Sequence, residues 1–158
     1  MLNSTRTFEL YLPVAEEINS DVDIYYILHL IGDNFVSSLT WGVGQLEWYD
    51  EGELVAELNS NLERQIVVSG NRLLERARKV YQTLGGIFVG YPSKVTAQKF
   101  LQERWTRASF ENSPAQLMIY ALEGTGFEVY LRSKSLADQF IQHFQDVQLQ
   151  APADFLVY

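Results

Sequence analysis

LMIYALEGTGFEVYL, residues 117–131, is two apolar, β-branched and aromatic runs on either side of Glu123-Gly124-Thr125. Strand-like runs joined by a short glycine-containing turn read as a β-hairpin. An antiparallel sheet is therefore the first expectation, and the neighbouring segments extend it. Downstream, Ser133 or Ser135 is placed to cap a helix LADQFIQHFQ (136–145) with Leu136, Phe140, Ile141 and Phe144 inward, and DFLVY (154–158) reads as an edge strand. Upstream, IFVGY (87–91) reads as a short strand. Pro92-Ser93 then opens VTAQKFLQERW (95–105), with Ser93 as cap and Val95, Phe100, Leu101 and Trp105 lining one face.

Further out, Asn61 begins the longest periodic signal. Leu62, Ile66, Leu73, Ala77, Val80, Tyr81 and Leu84 fall near one side of a 3.6-residue period, and Gly85-Gly86 ends the run, so one helix is expected there. FVSSLTWGVGQLEWY (35–49) reads as one or two strands with a bend at its glycines, and EGELVAEL (51–58) as a hairpin partner or the start of a helix. Ile24–Ile31 fits a buried helix or a buried strand. The helix is favoured, with Ser20 or Asp21 as cap and Gly32 as stop. RTFELYL (6–12) reads as a first strand ended by Pro13. The element order makes residues 1–158 one α+β domain, a mostly antiparallel mixed sheet with helices packed on one face. Within it, 87–101 and 127–141 echo one another as a strand, a Ser-Lys step and an amphipathic helix.

Composition bounds the function. At 47% hydrophobic and 13% aromatic, the chain has enough apolar side chains for one core and too many for a disordered segment. It has no cysteine, which excludes disulfides, thiolate catalysis and Cys-based metal sites. The start carries no signal-like segment and no window is apolar enough to span a bilayer, so a cytoplasmic, non-membrane protein is expected.

Charge is unevenly placed: residues 1–63 sum to −11, 64–134 to +6 and 135–158 to −3, for a net −8. Such a chain can hold itself together by internal attraction or show two faces of opposite sign to partners.

No catalytic or cofactor motif emerges, and no cofactor or metal is expected. His29 and His143 are the only histidines. His29 lies in an apolar run and reads as a core or boundary residue. His143 with Asp146 offers two ligands without a third. The carboxylate groups Glu16-Glu17, Asp21/Asp23 and Asp50/Glu51/Glu53/Glu57 match no calcium loop. No glycine pattern makes a phosphate cradle, and no GxSxG elbow occurs.

The aromatic stock suggests surfaces instead. Trp41, Trp48, Tyr49 and Tyr91 are the candidate partner-binding residues of a non-enzymatic interaction or regulatory module, acting on another protein or by self-association. The alternative is polyanion or nucleic-acid binding through Arg72, Arg76, Lys79, Lys99 and Arg104. A small enzyme or ligand-binding domain of another type is the third reading.

Overall fold

The computed structural model describes residues 8–13, 23–50, 53–54, 65–102, 105, 107–122 and 126–143. The 117–131 hairpin forms as expected. Strand β6 (Leu117–Ala121) pairs antiparallel with β7 (Gly126–Leu131), from Leu117 opposite Leu131 to Ala121 opposite Phe127. Around it are β1 (Phe8–Pro13), β2 (Thr40–Asp50), β3 (Glu53–Leu54), β4 (Ile66–Ser69) and β5 (Val80–Tyr91). The sheet order is β1-β7-β6-β5-β2-β3, with β4 also paired to β2, and every pairing among the described residues is antiparallel.

Alternation along these strands divides the apolar residues between two faces. Leu10, Val129, Ile119, Phe88, Val43 and Ile66 stand opposite one another across six strands, all in the larger core or packed against it. One residue over, Tyr130, Met118, Val89, Gly42 and Val67 form the matching row on the other face, where a smaller cluster lies.

The helices among the described residues are α1 (Ile24–Ile31), α2 (Asp33–Ser38), α3 (Gly70–Ala77), α4 (Lys94–Ala97), α5 (Arg107–Glu111) and α6 (Lys134–His143). Helices α1, α2, α3 and α6 bury their apolar sides in the larger core, so the main helical layer occupies one face of an α+β fold as expected. The short α4, the 3₁₀ turn Gln98–Leu101 that follows it, and Phe110 of α5 cover part of the opposite face.

Asp23 explains how α1 starts. Its carboxylate accepts the Ile24 N–H at 2.6 Å and the Thr83 N–H at 3.0 Å, and takes the Thr83 hydroxyl as well, tying the helix to β5. The cap is thus Asp23; Ser20 and Asp21 lie outside the described residues. Burial pushes the Asp23 carboxyl above its ordinary value, against the opposing pull of the Thr83 and Ile24 bonds. A carboxyl raised on folding holds its proton more tightly in the native state. The stability it contributes is greatest below its unfolded value and falls as pH rises through the folded one. Urea unfolding of wild type and Asp23→Asn across the acidic range should show this: the difference between the two curves carries a downward slope that levels off towards neutrality.

Three segments depart from expectation. The helix from Asn61 to Leu84 is three elements. Residues 61–64 lie outside the described set, Ile66–Ser69 is strand, Gly70–Ala77 is helix, and β5 runs from Val80 straight through Gly85-Gly86. Ile66, Leu73 and Val80 do share a core, but a strand, a helix and a strand deliver them to it.

The first residues of 35–49 are helical to Ser38, where the Ser37 and Ser38 hydroxyls bond back to the Asn34 and Phe35 carbonyls at 3.1 and 2.6 Å. The bend expected in that segment sits at Gln45, whose φ is 51°, where the β2–β5 register shifts. Val95 and Leu101 point outward, whereas Phe100 and Trp105 are buried as expected. The echoing units both run strand, serine cap, helix, with α4 packed in the smaller cluster and α6 in the larger. The terminal DFLVY strand lies outside the described residues.

Candidate functional site

The segment that joins β5 to α5 is held from below at several points. Ser93 caps α4 reciprocally: its hydroxyl accepts the Thr96 N–H at 3.1 Å while the Thr96 hydroxyl accepts the Ser93 N–H at 3.3 Å. Ala97 and Phe100 are fully buried beneath. The Phe100 ring lies directly on β2, so close that a Cβ at Gly42 would meet it at 2.4 Å. Glycine is what lets the ring sit on the strand there. Gln65 then clamps the turn from the side, donating from its amide to the Phe100 carbonyl and accepting the Trp105 N–H at 3.4 Å. Trp105 packs on Phe100 with ring centroids 5.6 Å apart and meets Tyr91 edge-on at 6.1 Å.

What this anchoring displays outward is apolar and cationic. Val95 is 81% exposed and Leu101 46% exposed, the largest exposures of bulky apolar side chains among the described residues. Lys94, Gln98 and Lys99 are exposed with them, and residues 94–102 contain no acid.

The aromatic candidates are placed differently from expectation. Trp41 and Tyr91 are fully buried, which corrects their assignment as partner-facing residues. Trp41 fills the larger core and donates its Nε1–H to the Val36 carbonyl at 3.0 Å, and Tyr91 packs in the smaller cluster. For Trp41, burying a large ring with its polar edge satisfied is the more favourable use of such a residue. The side chains of Trp48 and Tyr49 lie outside the described set, although both residues belong to β2.

The cationic candidates are divided. Arg72 and Lys79 are exposed and Arg76 is half-buried, on or just after α3. Lys99 is exposed on the 3₁₀ turn, which packs against the other face of the sheet. Arg104 lies outside the described residues. A neighbouring cation, Arg78, is engaged within the molecule. It bonds the Tyr25 hydroxyl at 3.3 Å, lies 5.7 Å from the centre of that ring, and approaches the Asp33 carboxylate at 3.5 Å. This pairs one cation of the basic middle with one carboxylate of the acidic first part. His29 is exposed rather than in the core, stacked on Tyr25 with its Nδ1 3.3 Å from Asp33. The His143 side chain and Asp146 lie outside the described set.

Among the described residues no group of three His, Cys, Asp or Glu side chains is placed to hold a metal ion, and no helix is long and apolar enough to cross a membrane. Sequence reasoning missed the outward pair Val95 and Leu101. Their signal was present in the buried alternatives: Ala97 and Phe100 lie on the opposite side of the same short helix. Comparison with protein-family models, with curated proteins and with solved structures finds no match to this chain.

Proposed function

We propose that the protein is a non-enzymatic interaction module that works by contact, presenting the outward side of residues 94–101 to a protein partner. The observation that supports this is the exposure of Val95 and Leu101 on a segment that is capped at Ser93, clamped by Gln65 and seated on β2 through Phe100. Scattered exposed apolar residues are ordinary. A rigid segment that carries two of them costs little conformational entropy to bind with, because its backbone is already ordered.

A photo-crosslinking amino acid at position 95, introduced in cells of the source, tests the reading. Discrete protein adducts are expected, and Leu101→Asp should remove at least nine tenths of them without changing the midpoint of urea unfolding, since neither side chain supports the core. Adducts that persist undiminished in Leu101→Asp would sink the reading. Recovery of nucleic acid in place of protein, lost when Arg72 and Lys79 are both changed to Glu, would replace it with polyanion binding.

A further inference from the structure

We infer that the 94–101 surface takes an acidic amphipathic helix of a partner protein, an inference that rests on the interaction reading and names the occupant. Residues three apart lie on one side of an α-helix and eclipse one another in a 3₁₀ helix. Val95 on α4, then Gln98 and Leu101 on the 3₁₀ turn, therefore form one outward line opposite buried Ala97 and Phe100.

Over that distance the rise is roughly 10 Å, close to the spacing of residues seven apart on an α-helix. A partner helix with apolar side chains at i and i+7 can meet Val95 and Leu101 together. Lys94 and Lys99 are exposed beside Val95 and Gln98, and residues 94–102 supply no carboxylate to neutralise them. Their natural complement is a pair of glutamates flanking the apolar seam of the incoming helix, the arrangement by which charged flanks select partners in helix pairs. Lys94 and Lys99 repel a basic helix locally. Nine residues are well short of the roughly 20–30 per side found in stable interfaces, so the isolated contact is weak, with a dissociation constant on the order of 0.1 mM.

Two fluorescein-labelled synthetic helical peptides test this on the full chain by fluorescence anisotropy. Both carry leucines seven residues apart; one has glutamates flanking them, the other lysines. The glutamate peptide is expected to bind about tenfold more tightly than the lysine peptide. Lys94→Glu with Lys99→Glu is expected to invert that preference, and Val95→Asp or Leu101→Asp to weaken binding of the preferred peptide about tenfold. All four positions are exposed, so unfolding midpoints should match wild type.

No preference between the peptides, or binding indifferent to Val95→Asp and Leu101→Asp, overturns the acidic-helix occupant. If Leu101-dependent adducts at position 95 nonetheless form in cells, the interaction module stands with a different occupant. If they are absent too, both fall.

Discussion

Arg132→Met is expected to destabilise the protein by about 3 kcal/mol, chiefly through three lost charge-assisted bonds and the loss of that donor at the Ala115 and Ser113 carbonyls. The Arg132 guanidinium collects the chain that leads into β6. Its Nε donates to the Ala115 carbonyl at 2.6 Å, and its Nη2 donates to the carbonyls of Phe110 and Ser113 at 2.6 and 2.9 Å. Its Cζ lies 4.4 Å from the centre of the Phe110 ring. Partial burial holds its pKa below the ordinary arginine value, with Glu111 pulling the other way, so the charge stays and the cost of its desolvation is met by those three acceptors. Methionine fills the volume of the stem and leaves all three carbonyls without the arginine. Lysine supplies the charge without the planar fork and should recover less than half the loss. At this chain length about 3 kcal/mol lowers the thermal midpoint by roughly 10 °C, which calorimetry reads directly. A loss under about 1 kcal/mol would show that the 110–116 loop holds its shape without Arg132.

Gly70→Ala carries the second large effect, and its sign is the test. At the start of a helix, alanine for glycine ordinarily stabilises by up to about 1 kcal/mol. Here a Cβ would lie 2.0 Å from the Val36 carbonyl oxygen and 2.7 Å from the Ser37 Cα, both backbone atoms of α2. The Gly70 N–H also donates to the Leu39 carbonyl at 3.1 Å, so α3 cannot back away without losing that bond. Destabilisation of about 3 kcal/mol is expected, at the upper end for overpacking because backbone and not a side chain must move. Urea unfolding should show a lower midpoint with an unchanged slope, and hydrogen exchange should locate the loosening in α2 and α3. A rise in stability would mean the two helices separate freely.

Local features were legible in the sequence because local chemistry dictates them. The 117–131 hairpin, the Ser93 and Ser133 caps and the Gly32 stop after Ile31 all depend on neighbours close in sequence. Features set by distant partners were not legible. Ile66 matches helical spacing on paper, yet β2 offers Ile66-Val67-Val68 a pairing edge and their β-branched side chains suit a sheet.

The candidate surface failed for a related reason. Counting aromatics cannot say which ones the core will take, and Trp41 finds its hydrogen-bond acceptor at Val36 only once α2 has formed. Likewise, one side of a helical segment as short as 94–101 must face the sheet. Small Ala97, by allowing close approach, decided for itself and Phe100 over Val95 and Leu101.

The pairing of β1 with β7 has a consequence for synthesis in time. Pro13 stands opposite Gly126 and Phe8 opposite Leu131, so the first described strand finds its hydrogen-bonding partner only in the last. With translation at about 5–20 residues per second, the gap on the order of a hundred residues keeps β1 waiting for roughly 5–20 s. During that interval Phe8, Leu10 and Leu12, all buried in the finished fold, have no β7 to pair beside. The rate at which a ribosome traverses the 14–125 stretch therefore sets how long an apolar strand is left open to chaperones or to the same strand of a neighbouring nascent chain.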